Sequence, residues 1–205
     1  MSFSESVIHF LKDMVIYCMI AMFLENTIFS RAIGSSTAFF AVRKKISIVR
    51  LGIIMTLIIA VASLATYFVN PFIKNSPYKY YITPAIYVLI IGIIYIMFLL
   101  FTSAFFKRKK DNILKVIHIG AFNCAVLGAL MLLQNISVIS LGGYLGFAIG
   151  TGLGFTLATF FVEIAFERLS DESVPESFRG YPITLIYVGI VSLAIYGLIG
   201  HELPF

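Results

Sequence analysis

The sequence predicts an all-α membrane protein of six transmembrane helices, laid out as two inverted three-helix repeats in which the first and fourth helices are broken. Three observations predict it. The 205 residues are 60% hydrophobic and only 12% charged, with mean hydropathy +1.00, whereas a soluble domain is about half apolar and about a quarter charged. The charges leave six apolar segments between them, each close to or above the roughly 20 residues that a span requires. The order of those segments, one interrupted and then two plain, occurs twice, over 14–106 and again over 116–200. No linker sets a soluble domain apart, so 1–205 reads as a single integral membrane domain.

The first segment, Met14 to Val42, carries Glu25, Asn26, Ser30, Arg31 and the string Gly34-Ser35-Ser36-Thr37 inside it. Backbone released from helical hydrogen bonding at membrane depth must be buried in protein or line a wet cavity, so this segment reads as a broken or re-entrant helix. Leu51 to Val69 and Tyr81 to Phe106 are plain spans. Val116 to Ile139 is interrupted again, by His118, Gly120, Asn123, Cys124, Gly128, Gln134 and Asn135. Tyr144 to Val162 opens after a turn expected at Gly142-Gly143 and closes where Glu163, Glu167 and Arg168 return the helix to water. Ile183 to Gly200 is the last plain span. Met1 to Asp13 has Glu5, Lys12 and Asp13 rather than a basic start with a cleavage site, so the first segment is expected to remain in the mature protein.

With six crossings, twelve of the fifteen Lys and Arg residues fall on one side, and only Lys12, Lys74 and Lys79 on the other. The positive-inside rule then puts both termini outside the cytoplasm, in a multi-pass protein of the inner (cytoplasmic) membrane. The run Lys107-Arg108-Lys109-Lys110 is read as part of that topology signal and not as a nucleic-acid or lipid-specific site, so the net charge of +5 and pI near 9.2 report cytoplasmic loops; membrane lipid is an expected partner and nucleic acid is not. Two cysteines, Cys18 and Cys124, exclude a disulfide-stapled secreted scaffold and a self-sufficient Cys₄ zinc site. A Gly-x-x-x-x-Gly-Lys loop, a His-Glu-x-x-His helix and haem-spaced histidines are all missing, so the chain does not hydrolyse ATP by itself.

If the halves are inverted repeats, Asn26 and Asn123 approach the midplane from opposite sides and build a site at the centre. Gly142, Gly146, Gly150 and Gly154 recur at four-residue spacing and clear one face of the fifth span for close approach of another backbone, in this chain or a partner. Cys124 reads two ways, as a small buried hydrophobe or as a thiolate ligand of an iron–sulfur site shared with another protein. Cys18, on uninterrupted helix, reads as core. Glu25 is the only carboxylate deep within an apolar segment, and either binds a cation or proton, or pairs with Arg31 across the break or reaches the headgroups. His118, about one turn from Lys115, is either a proton relay or interfacial.

These residues resemble the six-helix membrane subunits of the Rnf and sodium-pumping Nqr electron-transport complexes, and most closely the Rnf A (Nqr E) subunit. The resemblance rests on Asn123-Cys124-Ala125-Val126-Leu127-Gly128 and on Glu167-Arg168 with Val174-Pro175-Glu176-Ser177-Phe178-Arg179-Gly180, and more loosely on Asn26 and Ile33-Gly34. It implies a subunit, not catalytic alone, that pairs with an inverted sister subunit. The two together hold a [2Fe-2S] cluster between broken helices, each giving two cysteines. Electrons cross the membrane through it while the complex moves Na⁺ or H⁺. Cofactor-binding residues carried over are Cys124, also the metal ligand, with Ser36, Asn123 and Asn26. Where the family has Leu-Gly-x-Cys-Pro, this chain has Ile33-Gly34-Ser35-Ser36-Thr37, so the first ligand position falls on Ser36, a poorer iron ligand than a thiolate. Where the family pairs two asparagines, this chain has Glu25-Asn26. Two other readings stay open: a redox-inactive paralogue acting as scaffold or as a cation pathway through Glu25, and a stand-alone small-solute carrier.

Overall fold

A computed structural model of the chain describes residues 3–74, 76–105, 110–135, 140–169 and 174–199. Among these the chain is all-helical: α1 (Phe3–Met19) running into a π turn (Ile20–Leu24), α2 (Ser35–Arg43), α3 (Ile48–Lys74), α4 (Lys79–Phe105), α5 (Lys110–Ala121), α6 (Cys124–Asn135), α7 (Leu141–Arg168) and α8 (Tyr181–Ile199). Four helices, Ser4–Leu24, α3, α4 and α7, are long and apolar enough to cross a membrane, and the bent pair α5 and α6 makes a fifth if counted as one span. The apolar stretch of α8, Tyr181–Gly197, is shorter. Phe106 at the end of the third segment, Lys107, Arg108 and Lys109, the end of the fourth segment at 136–139, and Gly200 lie outside the described residues.

Both interruptions read from the sequence are real breaks. After the π turn, closed by Glu25 N–H donating to the Ile20 carbonyl at 2.9 Å, the chain is irregular until Ser35. Between α5 and α6 only Phe122 and Asn123 are non-helical, and the axis bends by 44°. One expectation fails. Gly142 and Gly143 make no turn but belong to α7, which starts behind Ser140, whose Oγ accepts the Gly143 N–H at 3.1 Å. The reason is tertiary: Gly142 is pressed against the Phe10 carbonyl of α1, and a helical glycine fits there as a turn would not. Helix α1 also starts eleven residues before the expected Met14, because a helix continues past its apolar part into the interfacial zone.

Helix α7 is the hub. Gly142, Gly146, Gly150 and Gly154 meet the backbone of Phe10, Met14, Cys18 and Met22 in the same order, so α1 lies parallel to α7. The expected packing face therefore meets a helix of this chain. A second ridge of α7 meets α3 reciprocally: Gly152 abuts Thr56, Gly52 abuts Thr156, and the two helices run antiparallel. Each threonine hydroxyl donates to the carbonyl of the glycine one turn back in its own helix at 2.7 Å, which removes a polar group from the contact. Along α4, Tyr95 faces His118 and Thr83 faces Gln134, so α5 and α6 continue one another antiparallel to α4. Tyr87 donates to Asn70 Oδ1 at 2.7 Å and Asn70 Nδ2 to the Tyr144 hydroxyl at 2.9 Å, pinning α3, α4 and α7 through a partly buried polar chain. The core, with Phe147, Phe155, Leu51, Met55, Ile58 and Leu130 fully buried, fills the space around α7.

Candidate functional site

Asn26 organises the first break. It is 2% exposed, and its Oδ1 accepts from the N–H groups of Ile28 at 3.0 Å and Phe29 at 3.2 Å, offering the backbone an alternative to helix. Its Nδ2 donates to the Met22 carbonyl at 3.0 Å and to that of Gly154 at 3.1 Å, tying the break to the middle of α7. Thr27 beside it is 1% exposed, and its hydroxyl has no hydrogen-bond partner among the described residues. Ile33 N–H donating to the Thr27 carbonyl at 2.7 Å folds the irregular segment back. Gly34, in the left-handed region at φ 86°, then opens α2.

Asn123 does the same work at the second break. It is 3% exposed, its Oδ1 accepts the Ala125 N–H at 3.0 Å to cap α6, and its Nδ2 donates to the Met55 sulfur of α3 at 3.3 Å. The two breaks touch. A Cβ at Gly34 would stand 2.8 Å from the Ala125 Cβ and 3.1 Å from Asn123 Oδ1, and one at Gly128 would stand 3.0 Å from Ile33 Cγ2. Gly34 is thus required twice, by its dihedral and by the closeness of α6. Ser36 lies two residues beyond Gly34 in the first turn of α2, and Cys124 directly precedes Ala125 as the first residue of α6; both are exposed. Ser36 also lines a cavity of about 300 Å³ with Thr37, Phe40, His118, Ile119 and Phe122.

The structure thus brings Asn123, and with it Cys124, against Gly34, two residues before Ser36, at one junction of helix ends, while Asn26 holds the same irregular segment but reaches α7 at Gly154. Cys124 is not the buried hydrophobe of the first reading. Cys18 is half-buried on α1 with its backbone against Gly150, away from this junction. Glu25 is engaged by Arg31 through contacts of 2.9, 3.0 and 3.2 Å, with Arg31 46% and Glu25 17% exposed, so the pairing reading describes its geometry. His118 is exposed and shares a 2.6 Å hydrogen bond between Nδ1 and the Tyr95 hydroxyl. Sequence reasoning missed Tyr95 and Met55. Neither carries a local signal, because each matters only through a neighbour on another helix.

Whether an iron–sulfur group suits this junction turns on the donors. Two helix N-termini, α2 and α6, meet with their positive ends at the exposed residues, which favours a negatively charged group. The donor set is one thiol and one alcohol, and among the described residues no three His, Cys, Asp or Glu gather to hold a metal ion. By donor chemistry, one thiol and one alcohol would suffice for one side of a shared site only, Cys124 being the stronger donor and Ser36 the weaker.

A family model described as "Rnf-Nqr subunit, membrane protein" matches residues 14–201. The chain is 30% identical over 200 residues to the A subunit of the Na(+)-translocating ferredoxin:NAD(+) oxidoreductase complex of Acetobacterium woodii, covering 92% of this chain and 98% of that protein. It is 29% identical over 198 residues to the A subunit of the ion-translocating oxidoreductase complex of Syntrophotalea carbinolica, covering 93% and 98%. The protein of that same description from Actinobacillus pleuropneumoniae serotype 5b is 29% identical over 167 residues, covering 79% and 84%.

Proposed function

The chain belongs to the Rnf-Nqr family of membrane subunits, and from that premise we propose that it is an A-type subunit of an ion-translocating electron-transport complex, passing electrons through a [2Fe-2S] cluster shared with an inverted sister subunit. The observation that supports this reading best is the contact of Gly34 with Asn123 and Ala125, which draws the helix ends bearing Ser36 and Cys124 together. Cys124 would hold the group through its thiolate and Ser36 through its hydroxyl. Asn26 and Asn123 hold the two backbone breaks that present those residues, and Phe122, 71% exposed beside Cys124, offers an apolar surface for the sister chain. Such a cluster, when bound, supplies one-electron transfer. The remaining ligands come from the sister.

The proposed architecture is six crossings in two inverted repeats, in the inner membrane with both termini outside the cytoplasm. The parallel course of α1 and α7 supports an even number of crossings from one to the other. The reciprocal Gly-x-x-x-Thr contact of α3 with α7 supports a two-fold relation, since residues related by such an axis exchange contacts in this way. Helix α8, at 19 residues and about 28 Å, is the sixth crossing. The moved ion is Na⁺ or H⁺.

The replacement of a thiolate by Ser36 favours a second reading, a redox-inactive scaffold or cation pathway. A pathway through Glu25 would require its ion pair with Arg31 to open. The test is low-temperature EPR of the dithionite-reduced complex, with iron and sulfide content, for wild type, Cys124→Ala and Ser36→Cys. A reduced [2Fe-2S] signal that disappears in Cys124→Ala and strengthens in Ser36→Cys supports electron transfer. An assembled complex whose iron content is the same with and without Cys124 rejects it in favour of the second reading.

A further inference from the structure

Between the end of α2, the start of α3 and α5 lies a cavity of about 590 Å³, next to the Ser36 cavity and sharing Phe40 and Ile119 with it. Four cations line it, Lys44, Lys45, Arg50 and Lys115, and among the described residues no carboxylate does. Its walls are apolar, formed by Phe40, Ile46, Val116 and Ile119. Ser47 also lines it, at the N-terminal boundary of α3, where its carbonyl accepts the Leu51 N–H at 3.0 Å. No acidic residue occupies the first turn of α3, so the positive end of a 27-residue helix opens into the same space.

Lys45 stands there against its backbone preference. Helix α2 ends in a Schellman motif, with Ile46 N–H donating to the Ala41 carbonyl at 2.9 Å and Lys45 N–H to that of Val42 at 3.0 Å. Lys45 fills the left-handed position of that motif at φ 50°, a place that glycine takes without strain.

We propose that this cavity binds an anionic phospholipid of the surrounding bilayer, with the phosphate held by Lys44, Lys45, Arg50, Lys115 and the α3 N-terminus. The acyl chains leave along the apolar wall, towards the exposed Val49, Ile53 and Leu57 of α3. Convergent cations over an apolar groove between helices match such a ligand in both its parts, whereas a soluble anion would leave the walls unfilled. The site is separate from the redox reading and stands whether or not a cluster is bound.

The test uses the purified complex in nanodiscs of phosphatidylcholine doped with phosphatidylglycerol, counting lipid retained after repurification by mass spectrometry. Wild type is expected to retain phosphatidylglycerol over phosphatidylcholine. Arg50→Gln with Lys115→Gln should cut that retention by about fivefold per charge removed. Lys45→Gly should lower it too while raising the melting temperature, a combination that misfolding cannot produce. Lys74→Gln with Lys79→Gln, at the opposite end of α3, should leave it unchanged. Equal retention in all variants, or equal loss in the Lys74 and Lys79 control, overturns the proposal. So does protection by inorganic phosphate as strong as by the lipid, or loss of another subunit from the Arg50 and Lys115 variant with its lipid retained.

Discussion

Asn26 and Thr27 are adjacent, both buried, and opposite in their hydrogen bonding. Asn26 satisfies two backbone N–H groups and donates twice; the Thr27 hydroxyl has no partner among the described residues. Removing a partner from buried donors is costly, while removing an unpaired hydroxyl is not. Asn26→Ala is therefore expected to cost about 2–4 kcal/mol, and Thr27→Val nothing, as read by thermal unfolding in micelles. The pair of Glu25 with Arg31 lies in the break of a membrane segment, where its surroundings are lipid or a neighbouring subunit and not bulk water, so removing one partner leaves the other charge poorly compensated. Glu25→Gln should then lower stability by about 1–3 kcal/mol, and Na⁺ or H⁺ uptake by folded, reconstituted complex decides its role: unchanged uptake assigns Glu25 to the ion pair, and abolished uptake assigns it to the pathway. Asn26 and Asn123 were legible as break residues because a polar amide inside an apolar run has few other uses. The exposure of Cys124 was not legible, since it depends on how α6 sits against α2.

At the scale of elements, the glycines separate into two groups that sequence alone leaves mixed. Gly146 and Gly150 have α1 backbone where a side chain would go, whereas Gly92 and Gly189 have open space. Gly146→Leu is expected to separate α1 from α7 and abolish folding or assembly, and Gly189→Ala to leave the melting temperature unchanged or slightly raised; gel filtration with thermal unfolding reads both. Four-residue spacing announced the packing face on α7, because that period keeps residues on one side of a helix. It was silent on the partner. The mistaken turn at Gly142-Gly143 has the same origin: glycine pairs serve turns and tight helix contacts alike, and only the presence of Phe10 opposite decides between them.

For the whole molecule, the 27-residue α3 separates the loop holding Lys45 from Lys79 at the start of α4, which lie beyond its opposite ends. In a chain lacking Cys18 and Cys124, a membrane-impermeant maleimide added to intact cells should label Lys79→Cys and spare Lys45→Cys. The reverse pattern would invert the proposed orientation. The sequence by itself determined that the chain is a helical membrane protein, where its helices break, and which family it resembles. All of these follow from one-dimensional signals: apolar length, polar interruptions and short motifs. Only the tertiary structure decided that the two breaks meet at Gly34, that α1 is the partner of the glycine face, and that Glu25 pairs with Arg31. Those depend on which helices become neighbours, and neighbours are chosen by side-chain volumes and hydrogen bonds summed over distant parts of the chain.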